Sequence, residues 1–264
     1  MFGIEAHVSL RTPSLVHGVE DAACEALGIA RLRHRSALRS LRVCDGLDLA
    51  AVVHNVISIN WLAGQASLNK DRSRQNWRWT LQPQIGAANR SPEVVLERAI
   101  AAECVSAGRD DWANQIPVAS GLVDGARDGR RAIDLAHRSG ERAYELIELK
   151  IASDTPLYAA VELLGYASLW LLARGDPPEH RPELLKGDHI DLRVLGPAAF
   201  YDRFELAELE RSVNRSVRVL GEQHAVALTF GFDVLPDGLV GQPLPSGLAI
   251  LDALASRKAL HEHG

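Results

Sequence analysis

Residues Ala132 to Ile151 read AIDLAHRSGERAYELIELKI, and this stretch decides the fold. Apolar and polar residues alternate on both sides of Ser139-Gly140-Glu141, a turn-forming triplet, so the segment predicts a β-hairpin. With the turn centred near residue 141, Asp134 and Glu148 fall directly opposite each other. Glu148 and Lys150 are two apart, so strand alternation puts them on the same face. Ile133, Leu135, Ile147, Leu149 and Ile151 then point into a core. One face of the hairpin carries two carboxylates and a lysine, and the other is hydrophobic.

That combination suits metal-dependent hydrolysis of phosphodiesters. Facing carboxylates repel unless a cation lies between them. Mg²⁺, or Mn²⁺ in its place, takes hard oxygen ligands, typically one or two carboxylates with water and phosphate oxygens. Such an ion acidifies water and neutralises charge on a reacting phosphate. Lys150 is suited to orient or help deprotonate the water, or to stabilise the developing anion. Only four of the 29 basic residues are lysines (Lys70, Lys150, Lys186, Lys258), so a lysine inside a strand stands out. The competing reading is a surface hairpin carrying a plain cross-strand ion pair.

Outward from the hairpin, Ser91-Pro92-Glu93 is a helix start: an N-cap serine, a proline at the first helical position and an acid in the first turn. The helix runs to about Ala107. QIPVASGLV (115–123), RRAIDLAHR (130–138) and YELIELKIA (144–152) read as strands. Asp154-Thr155-Pro156 opens a second helix that ends at Gly175. Then follow a strand (190–197), a helix (204–223), a strand (225–235), a Pro/Gly-rich connection and a last helix over 247–262. From residue 91 the order α-β-β-β-α-β-α-β predicts an α/β fold, a mixed sheet with helices against it. Residues 1–90 form a mostly helical, Arg-bearing region, 91–235 the core, and 236–264 the connection and terminal helix.

Asp134, followed after a short hairpin by Glu148-Leu149-Lys150, resembles the signature of the PD-(D/E)XK nuclease superfamily, and α-β-β-β-α-β from residue 92 to about 197 resembles its core. Ile133 stands where the family's proline would, a departure that many members share. The resemblance implies a restriction-endonuclease-like fold and a Mg²⁺- or Mn²⁺-dependent nuclease, with DNA as substrate. Asp134, Glu148 and Lys150 would be catalytic, with Asp134 and Glu148 binding metal. An acid on the first core helix often joins the metal site, which points to Glu97, with Glu93 one turn earlier as the alternative. A polar or aromatic residue on the helix after the lysine often faces the site. Tyr158, Glu162 and Tyr166 share one helix face there, and Glu162 and Tyr166 are the site-adjacent candidates. The other class of reading is a nuclease-like fold that binds nucleic acid or a protein partner without catalysis.

The net charge of −5 excludes a polycationic nucleic-acid binder. It is unevenly spread: residues 1–90 carry 11 Lys/Arg against 7 Asp/Glu, and 91–264 carry 18 against 27. Arg31, Arg33 and Arg35, then Lys70, Arg72, Arg74 and Arg78, are the candidates for contacts to a nucleic-acid backbone. A solvated helix face is the alternative for the first group. Trp77 and Trp79 read as strand residues packing on the core rather than as base-stacking platforms. Three widely spaced cysteines (Cys24, Cys44, Cys104) fit a reducing compartment, and the N-terminus is not a secretory signal, so a cytoplasmic protein without a membrane partner is expected. No phosphate loop, GxGxxG or GxSxG motif is present. His137 reads as exposed near the turn, and His261 and His263 as part of a mobile tail. Cutting both strands of a duplex needs two sites, which a homodimer would supply.

Overall fold

The computed structural model describes residues 14–261 except 40, 42, 45, 69–74, 119–130, 152 and 242, with backbone alone for 65–68. Three helices come first: α1 (Val19–Leu27), α2 (Arg35–Arg39) and α3 (Leu49–Leu68). After α4 (Pro92–Ser106) follow β1 (Trp112–Pro117), β2 (Ala132–Arg138), β3 (Ala143–Leu149) and α5 (Pro156–Gly175). The chain continues through β4 (His189–Gly196), α6 (Ala198–Tyr201), α7 (Ala207–Gln223), β5 (Ala227–Val234), α8 (Leu248–Ala255) and β6 (Lys258–Ala259). The six strands form one mixed sheet in the order β1-β2-β3-β4-β5-β6. β1, β2 and β3 are an antiparallel meander, β3-β4-β5 are parallel, and β6 returns antiparallel to β5.

Local chemistry sets the two helices that flank the hairpin. The Ser91 hydroxyl accepts from Val94 N at 3.4 Å, and Pro92 occupies the first turn of α4. Thr155 caps α5 in the same way, accepting from Tyr158 N at 3.1 Å, ahead of Pro156. α5 is apolar on nearly every side because it is enclosed on nearly every side. Among the described residues it is the one helix long and apolar enough to cross a membrane, and 89% of that stretch is buried inside the protein.

Helices cover both faces of the sheet. The larger apolar cluster joins Leu15, just before α1, and Val19, Val53 and Ile57 of the N-terminal helices to Leu164 and Trp170 of α5, Val213 of α7, and Ala136, Leu146 and Phe230 of the sheet. The smaller joins Leu96 and Ile100 of α4 and Ile250 and Leu254 of α8 to Leu135, Ile147, Leu149 and Leu195. The hairpin therefore has no purely polar face: its carboxylates share a side with Ala136 and Leu146, which are buried under helices. Ile133 joins the larger cluster rather than that of Leu135. Gln115 accounts for this. It is left-handed (φ 46°) and breaks the β1–β2 ladder opposite Asp134, so the strand pair turns there.

Three expectations are corrected. The first strand lies at 112–117 rather than 115–123, of which 119–123 lie outside the described residues. Residues 75–90 form no strand. Trp77 is instead left-handed (φ 62°) and fully buried, with its N–H donating to Pro117 O at 2.8 Å. The last helix stops at Ala255, and Lys258–Ala259 add a sixth strand. Arg257 sits between them, with 12% of its side chain exposed, and pairs with Glu145 and Asp233.

Candidate active site

The hairpin register matches the sequence reading. Pairs run from Arg138↔Tyr144 to Leu135↔Ile147 and stop there, while β3 stays paired with β4 as far as Leu149↔Leu195. One step further along the same register, Asp134 stands opposite Glu148 where β2 and β3 part. Instead of ladder bonds, the Asp134 carboxylate accepts from Leu149 N at 2.9 Å. Lys150 is anchored from the other side, its N–H donating to Leu195 O at 2.9 Å. Gly196 makes that approach feasible, because a Cβ there would lie 2.8 Å from the Lys150 carbonyl oxygen.

Glu148 is 3% exposed. Its Oε1 accepts from Lys150 Nζ at 2.7 Å, and its Oε2, equally buried, accepts no hydrogen bond. Lys150 also donates to Glu162 Oε2 at 3.0 Å, while Arg131 holds Glu162 Oε1 at 3.2 Å. Burial, then the Asp134 and Glu162 charges, raise the Glu148 carboxyl well above the usual glutamate range, against the pull of Lys150. Burial also pushes Asp134 up to about 6, opposed by Lys150 and the Leu149 N–H and assisted by Glu162 and Glu93. Burial alone would lower the Lys150 ammonium, but Glu148 and Glu162 outweigh it and hold it above the ordinary lysine range. Tyr166, 4% exposed on α5, lines one cavity with Arg131 and Glu162, and its hydroxyl is raised by burial and then by the Glu148, Glu162 and Asp134 charges.

Glu97 enters from α4 and is 2% exposed. It accepts from Asn114 Nδ2 at 2.6 Å and Gln115 Nε2 at 3.0 Å, and the same Gln115 amide lies 3.5 Å from Asp134 Oδ1. Burial pushes Glu97 up to about 7, with the Asp134 charge adding and both amide hydrogen bonds opposing. The structure thus gathers Asp134, Glu148, Lys150, Glu97, Glu162 and Tyr166 into one cluster. Glu93 is adjacent but employed otherwise: its Oε1 accepts from Ile151 N at 3.1 Å and from Ser153, bracing the turn after Lys150. Asn114, Gln115, Arg131 and Asp154 were not singled out from the sequence. Asn114 is fully buried in β1, where its amide must find a partner, but the sequence reading begins that strand at Gln115 and so carries no signal for it.

The basic candidates separate. Arg31, Arg35 and Arg78 are exposed. Arg33 is committed to Asp154 at 2.6 Å and lies 3.6 Å over the Tyr158 ring. Lys70, Arg72 and Arg74 lie outside the described residues, as does His263. Trp79 packs edge-on against Tyr144 and donates to Asp110 O at 2.9 Å, and with buried Trp77 it belongs to the interior. Two histidine readings are corrected. His137 is half-buried, stacked on Trp112 and bonded to Glu145 at 2.7 Å, and His261 is bound to Glu210 rather than lying in a loose tail.

Among the described residues no group of three or more His, Cys, Asp or Glu side chains is arranged to hold a metal ion. The oxygens present nonetheless fit a hard cation that keeps most of its water. A carboxylate oxygen with free lone pairs is buried at the parting of two strands, opposite a second carboxylate. An oxygen so placed is costly to bury with nothing bound to it. Asp134 and Glu148 are the residues that would hold such an ion, with Glu97 behind Gln115 as a third acid. Comparison of the chain with protein-family models, curated proteins and solved structures finds no match.

Proposed function

We propose that the protein is a Mg²⁺- or Mn²⁺-dependent nuclease of the PD-(D/E)XK type, hydrolysing phosphodiester bonds in DNA. The observation that carries this reading is the unpartnered, buried Oε2 of Glu148, facing Asp134 and flanked by the Lys150 ammonium. The element order α4-β1-β2-β3-α5-β4, with an antiparallel meander and a parallel fourth strand, supports the same reading. When bound, a divalent cation supplies charge neutralisation at the phosphate and acidifies water.

The chain's own residues supply the rest. Asp134 and Glu148 offer the oxygen ligands. Lys150, held between Glu148 and Glu162, keeps its proton and stabilises the negative charge that builds on the reacting phosphate. Its backbone bond to the Leu195 carbonyl and its two ion pairs fix its position just past the end of β3, so little reorganisation is needed during the reaction. Arg31, Arg35 and Arg78 are the exposed cations suited to approach the DNA backbone. A cytoplasmic location and a homodimer for duplex cutting belong to the same proposal.

A second reading, a nuclease-like module that binds without cutting, is favoured by one feature: two carboxylates neutralise Lys150 completely. One experiment separates the two. Single-stranded, duplex and branched DNA, and RNA, are incubated with the protein in Mg²⁺, Mn²⁺ or EDTA, alongside Asp134→Asn and Lys150→Met. Metal-dependent cleavage that both substitutions remove supports the enzyme. Binding without cleavage under every condition refutes it.

A further inference from the structure

The turn that follows Lys150 is held from two sides. From α4, Glu93 Oε1 accepts the Ile151 and Ser153 amides. From the N-terminal region, Leu32 O accepts the Thr155 hydroxyl at 2.7 Å, and Arg33 Nη1 meets Asp154 Oδ1 at 2.6 Å. Asp154 itself is left-handed (φ 62°), a conformation that aspartate adopts more readily than most residues with a Cβ. Its second oxygen, Oδ2, lies 4.0 Å from Lys150 Nζ. Arg33 is seated by more than one contact: its guanidinium stacks 3.6 Å over Tyr158 and lies 3.8 Å from Glu20. Lys150 Nζ is 5.9 Å from the same tyrosine ring. Asp154 is thus one carboxylate shared between an arginine that belongs to the N-terminal layer and the lysine that directly follows β3.

We infer that Arg33 is a positioning residue rather than a nucleic-acid contact: through Asp154 it fixes the turn that sets where the Lys150 ammonium stands. The inference rests on the nuclease reading for its catalytic consequence and on contacts alone for its structural one. It gives the segment between α1 and α2 a role in the site through a residue that does not itself meet substrate. It also explains why the middle arginine of Arg31, Arg33 and Arg35 is paired with a partly buried carboxylate of the core.

The test uses the full chain with Arg33→Met, which keeps the stem over Tyr158, Arg33→Lys, which restores a cation, Asp154→Asn, and the Arg33→Met/Asp154→Asn double variant. Hydrogen exchange at the Ser153 and Asp154 amides is read first, and it quickens severalfold in Arg33→Met if the strap exists. In Mg²⁺-dependent cleavage, kcat falls about tenfold in Arg33→Met and in Asp154→Asn with KM unchanged, the scale seen when a supporting group behind a site is removed. The double variant falls no further than either single, and Arg33→Lys recovers part of the loss. Unchanged exchange overturns the strap. A rise in KM that deepens with salt, or additive losses in the double variant, overturns it too, because Arg33 then meets substrate directly. If the wild type cuts no nucleic acid under any metal condition, the nuclease reading fails instead, and the exchange data alone decide the strap.

Discussion

Glu145 and Glu148 sit three residues apart on one strand, and the protein treats them in opposite ways. Both are largely buried, and both belong to a network of several charges. Glu145 has both oxygens occupied, one by His137 at 2.7 Å and one by Arg257 at 2.5 Å. Burial alone would raise its carboxyl, yet the His137 hydrogen bond and the Arg257 charge bring it down to about 2. Arg257 also pairs with Asp233 at 3.1 Å and so ties the end of the chain to the sheet. Glu148 has one oxygen on a lysine, one on nothing, and a carboxyl raised far above normal. The strand spends one glutamate on holding the fold and keeps the other unsatisfied. Natural cores satisfy most of their buried polar atoms, and the unsatisfied Glu148 oxygen is the one that the proposed cation would meet.

Exchanging amides for the two glutamates tests that division most strongly. Glu148→Gln lowers metal-dependent cleavage by about 10²- to 10⁴-fold, the range for groups acting on the reacting centre. It leaves thermal stability little changed, because Glu162 still pairs with Lys150 and the amide relieves the repulsion from Asp134 and Glu162. Glu145→Gln leaves kcat within about twofold of wild type while the protein melts earlier. Kinetics and calorimetry on the two variants read both halves. Equal losses of activity and stability in both would erase the distinction.

Arg257→Ala sharpens the structural half. It strands Glu145 and Asp233 without their cation, and removing one member of a buried pair costs about 3 kcal/mol. For a chain of 264 residues that lowers Tm by roughly 10 °C. Cleavage by the folded variant below its melting point is retained. A stability loss confined to a few tenths of a kcal/mol would show that the clip contributes nothing.

The two regions also respond to pH with opposite sign. Glu145, lowered to about 2, contributes stability above the ordinary glutamate pKa of about 4.5 and loses it as pH falls toward 2. Asp134 and Glu97, raised to about 6 and about 7, keep their protons in the fold after the unfolded chain has released its own. Between about pH 4 and 7 the native state therefore binds more protons, and stability falls as pH rises. Without divalent cations the melting temperature peaks near pH 4 to 5. Mg²⁺ competes with those protons, so it raises Tm more at about pH 7.5 than at about pH 5.5. Calorimetry with and without millimolar Mg²⁺ checks this. A Mg²⁺ effect that is equal at both pH values sinks the assignment of those acids to a cation site.

What the sequence disclosed follows the range of the interactions involved. The hairpin register was legible because alternation and a turn triplet act within twenty residues, and it delivered Asp134, Glu148 and Lys150 together. The caps of α4 and α5 were legible for the same reason. That register also sets His137 opposite Glu145, so their bond was within reach of the reading that took His137 as exposed. The left-handed Gln115 was not legible, since glutamine carries no preference for positive φ. It is held there by Glu97 and Asp134, which come from other elements. The break after α8 was equally hidden, because Arg257 turns inward toward Glu145, 112 residues away.

The scarcity of lysine supplies the smallest expected effect and a control for the comparison. Lys150 is 10% exposed and holds two carboxylates, whereas Lys186 is 56% exposed and pairs with Glu183 three residues earlier at 2.6 Å. An exposed pair so close in sequence gains little Coulomb energy in water and gives up side-chain freedom to form. Lys186→Ala therefore leaves Tm within about 1 °C of wild type and cleavage unaltered. Lys150→Met keeps the hydrophobic stem yet abolishes cleavage, because Glu148 and Glu162 lose the charge between them. The pair of substitutions separates lysine as a type from lysine at this place. If Lys186→Ala disturbed cleavage as Lys150→Met does, the loss would report surface charge acting on DNA at long range. Repeating both assays at high salt decides it, since screening erases a long-range effect and leaves the buried one standing.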